Sequence, residues 1–463
     1  MRSILSWSLA VLLLAAAGGC ADRPPQTRSA VDRTYFFNGR VVRGDGTPPI
    51  RNASLLVENG VIVQLGADDA IATPEGARQV DLGGRTIMPL LVSLHVHLGY
   101  LDGRSFAAEH YSRASVLADL QRHAYHGVGA VAVLGSDADD TAFRIRAEQV
   151  DGTLTGYARI FTAGRGITAA GGWPTVLPAL KDAPIQVTSE ADARAAVERL
   201  GALDVDLVKI WVDDDGGRLP KLAPNLYAAV IDEAHRRDLK VVAHVFYLDD
   251  ARRLVEAGID GLVHSIRDRD VDQPLIDAMR ERNVYYVPTL VAHETAFSYA
   301  DAPAWVGEPT MRATVAAPVI EWLTSDAFLS EAAANPALEA LRRQYATAQR
   351  NLKVLSDAGV TIGLGTDSGT ANRFPGYMEH RELMLMVAAG MTPTQAITAA
   401  TRNGIAFLAR GRAGGLGAGS RADFMVLDGD PIADITTTRR ILEVSHAGTY
   451  LDRTHMAVRL PGP

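Results

Sequence analysis

The stretch Ile87-Met88-Pro89-Leu90-Leu91-Val92-Ser93-Leu94-His95-Val96-His97 is an apolar, strand-like run that ends in two histidines. The two imidazoles stand two residues apart, so they point to the same face of one strand. Seven more short apolar runs follow, and stretches with helical periodicity separate them. The eight predicted strands span residues 87–97, 130–134, 159–162, 207–211, 241–244, 261–264, 284–288 and 361–366. Eight strands that alternate with helices predict an α/β fold built on a closed (β/α)8 (TIM) barrel.

The two ends of the chain have a different pattern, in which short alternating runs are separated by Gly, Asn and Pro. Because this pattern occurs both before and after the barrel, it predicts one small β-sandwich domain formed from both ends. The predicted organisation is, in chain order, a signal peptide at 1–20, a linker at 21–33, the first part of the sandwich at 34–87, the barrel at 88–415 and the second part of the sandwich at 416–463.

The composition is that of an ordinary globular protein with a slight acidic excess. The 463 residues are 47% hydrophobic and 22% charged, and the formal net charge is -8. Binding to nucleic-acid phosphates needs clustered Lys and Arg, and the sequence has no basic run. Nucleic acid is therefore not an expected partner. The single cysteine, Cys20, excludes an intramolecular disulfide.

The first twenty residues have the pattern of an export signal. Arg2 is followed by an apolar stretch at 9–17, and Gly18-Gly19 precede Cys20. Such a segment is too short to span a membrane and is removed on export. The ending Ala-Gly-Gly-Cys resembles a bacterial lipobox, which predicts lipidation of Cys20 and a periplasmic or membrane-tethered lipoprotein of a bacterium. Cleavage without a lipid is the alternative.

Six polar residues lie at or near the carboxyl ends of the predicted strands, the face on which barrel active sites are built. They are His95, His97, Lys209, His244, His264 and Asp367. Any one of them could be an ordinary polar residue at a strand end. Four of the twelve histidines together with a lysine and an aspartate on one rim predict a metal centre instead. Imidazole and carboxylate ligands suit Zn²⁺ and similar divalent ions.

Several motifs around these residues resemble the amidohydrolase superfamily, in its imidazolonepropionase-related, prolidase-like branch. The C-terminal stretch Ala-Asp-Phe-Met-Val-Leu-Asp-Gly-Asp-Pro also resembles the return strand of that family's small β-sandwich. The motifs are Leu94-His95-Val96-His97, Val208-Lys209-Ile210, Ala243-His244, Val263-His264-Ser265, Gly365-Thr366-Asp367 and residues 422–431.

The resemblance implies a binuclear centre in which a CO2-derived carbamate on Lys209 bridges two divalent ions, with Zn²⁺ as the expected metal. His95, His97 and Asp367 would hold one ion, and the other two histidines would hold the second. A hydroxide between the ions would attack the scissile carbonyl, and Asp367 would transfer the proton as the catalytic residue. Mononuclear deaminases of the superfamily lack the lysine and carry Glu three residues after the fifth-strand histidine, where this chain has Tyr247.

The resemblance favours hydrolysis of the amide bond of a dipeptide or an N-acyl amino acid. A lactone, carbamate or organophosphate ester hydrolase is the alternative, and an inactive binding protein on the same scaffold is a more remote one. The expected partner is a small-molecule substrate. Because members of the family are often oligomeric, the resemblance also implies a homo-oligomer by analogy. The candidate substrate-contacting residues are Arg165, Trp173, Tyr286, His293 and His380.

Overall fold

The structure is a computed structural model that describes residues 32–409 and 415–460. Its strands are β1 (Arg33–Val41), β2 (Ile50–Glu58), β3 (Val61–Ala67), β4 (Arg78–Asp81), β5 (Thr86–Pro89), β6 (Leu91–Val96), β7 (Leu101–Asp102), β8 (Ser105–Phe106), β9 (Val128–Val133), β10 (Arg159–Thr162), β11 (Ile167–Ala169), β12 (Ile185–Val187), β13 (Val208–Val212), β14 (Val241–Val245), β15 (Gly261–Val263), β16 (Tyr285–Val287), β17 (Phe424–Leu427), β18 (Ile441–His446) and β19 (Thr449–Tyr450).

The α-helices follow the barrel strands and fill the long connection after β16. They are α1 (Arg113–Tyr125), α2 (Thr141–Val150), α3 (Glu190–Ala202), α4 (Pro224–Arg236), α5 (Leu248–Glu256), α6 (Gln273–Glu281), α7 (Leu290–Ser298), α8 (Pro309–Arg312), α9 (Ala317–Leu323), α10 (Asp326–Ala333), α11 (Leu338–Asp357), α12 (Tyr377–Ala388), α13 (Pro393–Thr398), α14 (Gly404–Leu408) and α15 (Arg453–Arg459). Among the described residues, no helix combines the length and the apolarity needed to cross a bilayer.

The barrel strands are parallel and buried on both faces. β9 lies between β6 and β10, and β13, β14, β15 and β16 follow one another in a second run. The sequence Val-Lys-Ile-Trp-Val of β13 is buried at every position, which is typical of a strand with helices on one side and the barrel interior on the other. The N–H of Asp206 donates to the carbonyl of Thr162 and links the two runs.

The eighth predicted strand, residues 361–366, closes the barrel without forming a continuous strand. The Gly363 N–H donates to the Tyr286 carbonyl at 2.9 Å, and the Leu94 N–H donates to the Leu364 carbonyl at 2.7 Å. The segment therefore lies between β16 and β6. Gly365 permits this close approach, since a Cβ there would stand 2.5 Å from Val287. The predicted (β/α)8 fold class is confirmed.

Both ends of the chain build one eight-stranded sheet, in agreement with a small β domain formed from both ends of the chain. Its order is β19-β18-β17-β5-β1-β2-β3, and β4 pairs with β1. Phe36 of β1 and Phe424 of β17 meet edge to face in its core, with ring centroids 5.5 Å apart. The strands from the two ends are thus joined by direct packing as well as by the β5–β17 ladder.

The prediction of one strand over residues 87–97 is wrong. Met88 pairs with Met425 in the end sheet, whereas Leu91 pairs with Val128 in the barrel. The chain passes from one sheet to the other at Leu90, so an unbroken apolar run contains two strands, β5 and β6. The first strand, β1, begins at Arg33, inside the predicted linker.

The signal peptide and most of the linker lie outside the described residues, and so does Cys20. Lipidation and export therefore stay predictions.

Candidate metal centre

The fold brings the six predicted ligand residues together at the carboxyl end of the barrel. We call them the ligand cluster: His95, His97, Lys209, His244, His264 and Asp367. One ligand atom from each of His95, His264 and Asp367 lies within 4.8 Å of the others. The His95 ring centroid is 5.2 Å from that of His97 and 4.8 Å from that of His264, and the His244 and His264 centroids are 4.3 Å apart. The imidazoles therefore face a common space.

Lys209 lies in the middle of this group and is fully buried. Its Nζ has no hydrogen-bond partner within the described residues. Burial lowers the pKa of Lys209 to about 7, against the opposing attraction of Asp367. An amine so placed is neutral far more readily than an ordinary lysine.

His95 also has a buried atom without a hydrogen bond, its Nδ1. Burial, followed by the repulsion from Lys209, lowers the pKa of His95 well below its usual value. Buried polar atoms are normally paired, because an unpaired one costs on the order of 1–3 kcal/mol. Two unpaired atoms within one group of imidazoles and a carboxylate fit a site that takes a divalent metal ion.

Asp367 connects the histidines to a nearby guanidinium. Its Oδ1 lies 2.9 Å from Nε2 of His97 and 3.4 Å from Nε2 of His95, and its Oδ2 lies 3.1 Å from Nη2 of Arg373. Burial opposes ionisation, but Arg373 and the two histidines outweigh it and hold the pKa of Asp367 well below its ordinary value. Asp367 is therefore a carboxylate that faces both the ligand cluster and Arg373.

Each of the remaining histidines is oriented by a hydrogen bond through one ring nitrogen. The His244 ring bonds through Nε2 to the Asp213 carboxylate at 2.8 Å. His264 bonds through Nδ1 to the Thr289 hydroxyl at 2.9 Å, and His97 bonds through Nδ1 to the Ser136 hydroxyl at 2.7 Å. Such partners fix the ring orientation and leave the second nitrogen for a metal.

These orienting residues and Arg373 were absent from the sequence prediction. One of them could have been found, since Asp213 lies four residues after Lys209 and so on the same face of the extended segment. Ser136, Thr289 and Arg373 lie in loops beyond strand ends, where the local sequence pattern does not indicate which way a side chain points.

Two of the five predicted substrate-contacting residues lie beside the cluster. The half-buried Trp173 ring is 6.4 Å from that of His244, and the His293 ring is 6.0 Å from that of His264. The Nε2 of His293 also accepts the Ser265 N–H at 3.2 Å. Burial and the nearby Arg267 lower the pKa of His293 well below its usual value.

The structure does not bring the other three to the cluster. The Tyr286 side chain is buried, and its hydroxyl accepts the Ile266 N–H, so that it supports the loop after His264. The Arg165 guanidinium donates to the carbonyls of residues 182–184. His380 is buried on α12, where its ring nitrogens bond to the Thr438 hydroxyl and the His126 carbonyl. Their side chains are held by the protein itself, and we withdraw the assignment to substrate for these three.

Comparison with known proteins agrees with this architecture. The sequence model of the amidohydrolase family matches residues 86–448. The chain is 27% identical to an imidazolonepropionase of Salinispora arenicola (strain CNS-205) over 399 residues, which cover 83% of this chain and 88% of the relative. It is 25% identical to an ochratoxinase of Aspergillus niger over 456 residues, which cover 89% and 85%.

A solved structure has the same fold. A Xaa-Pro dipeptidase with bound methionine in the active site superposes with a TM-score of 0.72 at 22% identity, covering 91% of this chain and 100% of that one. The predicted resemblance to the amidohydrolase superfamily is thereby confirmed.

Proposed function

The chain belongs to the amidohydrolase family of hydrolases that act on carbon–nitrogen bonds, and we propose that it uses two divalent metal ions, most simply Zn²⁺, to cleave the amide bond of a dipeptide or an N-acyl amino acid. The observation that carries the proposal is the buried, unpartnered Nζ of Lys209 among four imidazoles and one carboxylate. A structural lysine would be paired or exposed.

The chemistry of Lys209 supports a carbamate at this position. A neutral amine adds CO2, forming an N–C bond and releasing one proton, and the product carries a negative charge. The lowered pKa of about 7 makes the neutral amine available near neutral pH. His95, His97 and Asp367 would hold one metal ion, His244 and His264 would hold the other, and a carbamate on Lys209 would supply a further negatively charged ligand. When bound, the ions supply a Lewis acid for the carbonyl oxygen and an acidified water.

Asp367 is suited to move the proton. Its carboxylate faces the ligand cluster, with Oδ1 beside His95 and His97, so an oxygen of Asp367 can accept a proton from the attacking water. The same oxygen can then donate that proton to the nitrogen of the leaving amine, which completes the cleavage. Arg373 holds the carboxylate in place during both transfers.

Two side chains support an amide substrate that carries a carboxylate. Arg373 keeps 21% of its side chain exposed beside Asp367, while its Nε donates to the Thr370 hydroxyl and its Nη2 pairs with Asp367. Since its nitrogens are bonded within the protein, as those of Arg165 are, we propose that Arg373 attracts the substrate carboxylate by its charge and not by a bidentate bond. Trp173 offers an aromatic surface for the acyl side near His244. The structurally similar protein is a Xaa-Pro dipeptidase, which is consistent with a peptide-like bond in the substrate proposed for this chain.

The test is a substrate panel run on protein that has been stripped with a chelator and reloaded with Zn²⁺. The panel contains N-acyl amino acids and Xaa-Pro and Xaa-Arg dipeptides, together with lactones, carbamates and organophosphate triesters. We expect amine release from the N-acyl amino acids and the dipeptides, and only after Zn²⁺ is restored. Turnover confined to lactones, carbamates or triesters would overturn the amide assignment, and binding of an amide ligand by the metal-free protein without any turnover would favour the inactive scaffold.

We also propose that the protein is exported and tethered by a lipid on Cys20. The support is the sequence pattern of residues 1–20. Cells that express the full chain are grown with radiolabelled palmitate, and Cys20→Ala serves as the control. Label in the wild type alone is the expected result, whereas equal label in both, or none in either, would contradict the tether.

A further inference from the structure

Helix α12 carries two buried carboxylates one turn apart, Glu379 and Glu382, and neither side chain has any exposed surface. Burying a carboxylate is costly unless strong donors surround it. In this helix the donors include the residues on either side of Asp367 and the two residues that follow Thr289, the hydrogen-bond partner of His264.

Glu379 holds the two residues that flank Asp367. Its Oε1 accepts the Thr366 hydroxyl at 2.8 Å and the Ser368 hydroxyl at 3.0 Å. It also accepts the hydroxyl of Ser93, two residues before His95, at 3.1 Å. The backbone of Asp367 is in the left-handed region with φ 59°, which a residue other than Gly adopts only when its surroundings hold it there. Bonds on both sides of Asp367 provide that restraint.

The donors around Glu379 also keep it ionised. Burial on its own raises the pKa of Glu379, but His123 and the hydroxyls of Thr366 and Ser368 outweigh burial and bring the pKa to about 2. The Nε2 of His123 lies 3.3 Å from Oε1, and its Nδ1 bonds to the Asp119 carbonyl at 2.9 Å. The carboxylate is thus a fixed acceptor for the Asp367 segment.

Glu382 holds the residues next to Thr289. One carboxylate oxygen accepts the Leu290 N–H at 2.8 Å and the other accepts the Val291 N–H at 2.7 Å. These are the first two residues of α7, whose N–H groups have no partner within the helix and favour a negative charge. Burial nevertheless raises the pKa of Glu382, to about 8.

Thr289 occupies the position before α7 but makes no capping bond to the helix. Its hydroxyl instead bonds to Nδ1 of His264 at 2.9 Å, and its backbone is also left-handed, with φ 46°. A threonine at a helix N-terminus usually bonds to the helix backbone. Here the carboxylate of Glu382 accepts the first N–H groups of α7 instead, and the Thr289 hydroxyl orients His264.

We propose that α12 is the positioning element of the metal centre, in which Glu379 sets Asp367 through its two neighbours and Glu382 sets His264 through Thr289. The inference rests on the proposed function, because it concerns residues assigned to the metal. Neither glutamate bonds to a member of the ligand cluster, so both are positioning residues rather than catalytic ones.

The test compares Glu379→Gln and Glu382→Gln with a matched control, Glu294→Gln. Glu294 is also buried and pairs with Arg381 of α12, 3.0 Å from its Nε, and within the described residues its carboxylate does not bond to the ligand cluster. Three properties are measured on full chains: Zn²⁺ affinity by chelator competition, the visible spectrum with Co²⁺ in place of Zn²⁺, and urea unfolding of the metal-free protein. The spectrum reports ligand geometry, which a loss of stability alone does not move.

We expect both α12 variants to bind Zn²⁺ about 10-fold more weakly than the wild type, at the lower end of the 10- to 100-fold effect of removing a direct partner of a metal ligand, because each glutamate acts through one intermediate residue. Their Co²⁺ spectra should also change. Glu294→Gln should keep the wild-type affinity and spectrum, whatever it loses in the unfolding midpoint. Wild-type affinity and spectrum in both α12 variants would overturn the inference and leave them a role in stability only.

Smaller changes keep the test decisive if the glutamine variants do not fold. Ser368→Ala removes one link from Glu379 to the Asp367 segment, and Thr289→Ala removes the hydroxyl on His264 while the cap by Glu382 stays. Each should weaken Zn²⁺ binding, and unaltered binding in both would overturn the inference. A wild-type protein that binds neither Zn²⁺ nor Co²⁺ would instead refute the proposed function, and this inference with it.

Discussion

Apart from His446 of β18, whose buried Nε2 is unpaired but lies in the end sheet away from other imidazoles, the buried histidines of the described residues form two groups, which differ in their hydrogen bonds rather than in their burial. The barrel-end group consists of His95, His97, His244 and His264. The helix-layer group consists of His123 on α1, His126 at the C-terminus of α1, and His380 on α12. All seven are less than a tenth exposed. Burial lowers the pKa of members of both groups, including His264 at the barrel end and His126 in the helix layer.

In the helix layer each ring is bonded to groups that belong to the scaffold. His380 bonds to a hydroxyl and a backbone carbonyl, and His126 bonds through Nε2 to the Thr314 hydroxyl at 3.0 Å. At the barrel end the rings face one another around Lys209, and Nδ1 of His95 and Nζ of Lys209 stay unpaired. Burial and a shifted pKa therefore do not distinguish a functional histidine here, whereas converging polar atoms without partners do.

The largest effect should come from Lys209→Ala, with the exposed Lys181→Ala as its control. We expect Lys209→Ala to lose bound metal and at least about 10²-fold in activity together, because the bridge between the two metal positions is gone. Added short carboxylic acids should partly restore both. Metal content and kcat/KM are measured on each variant. Full activity in Lys209→Ala would contradict the metal centre and would indicate that the barrel-end group, like the helix-layer group, has a structural role.

Asp367→Asn should cost rate more than stability. Loss of the proton-transferring carboxylate is expected to lower kcat on the order of 10²–10⁴-fold, since that is the usual contribution of a general acid–base group. The unfolding free energy should change on the order of 1 kcal/mol, because the amide occupies the same space. Steady-state kinetics and urea unfolding are compared with those of Asp69→Asn, an exposed control. A kcat equal to that of this control would contradict the assignment.

His380→Leu tests the other side of the comparison. It leaves the His126 carbonyl and the Thr438 hydroxyl without their partner, which should destabilise the fold by about 1–3 kcal/mol. Activity per folded molecule should stay at the wild-type level, as it should in the exposed control His455→Leu. Unfolding midpoints and kcat/KM provide the measurement. A loss of kcat/KM without a loss of stability would restore His380 as a substrate-contacting residue.

The smallest effect concerns acid stability. Burial lowers the pKa of His380 to about 4, so between pH 6.5 and 4 the unfolded chain binds a proton at this residue that the native state does not. The stability that depends on the neutral ring is complete above pH 6.5 and falls with pH, by at most about 3 kcal/mol. Urea unfolding of metal-free wild type and His380→Leu at pH 7.5, 5.5 and 4.5 should show a smaller acid loss in the variant. Parallel losses would contradict the prediction.

The barrel and the ligand cluster were accessible from sequence because both depend on strand ends. A parallel strand places its last side chains on one rim, so the His95-x-His97 spacing and the residue after the eighth run already indicate a shared site. Register is harder to predict. The uninterrupted apolar run at 87–97 hides the change of sheet at Leu90, because strands in both sheets are equally apolar there.

Apart from Asp213, the supporting residues could not be predicted, since their roles depend on contacts between distant segments. Glu379 and Ser93 are 286 residues apart in sequence, and Glu382 and Leu290 are 92 apart. His380 was misassigned for the same reason, because helical periodicity does not tell which face of α12 meets the barrel end. Arg165 follows a strand as a binding residue would, yet its own loop supplies carbonyl acceptors for it.

The most direct test of the account is the metal content of the purified mature chain, measured by elemental analysis together with intact mass under native conditions. We predict about two divalent ions per chain, and a mass increase equal to one CO2 on Lys209 that disappears in Lys209→Ala. About one ion with an unmodified lysine would contradict the binuclear centre and favour a mononuclear mechanism. No metal after supplementation with Zn²⁺ would show that the barrel-end histidines, like those in the helix layer, serve the fold alone.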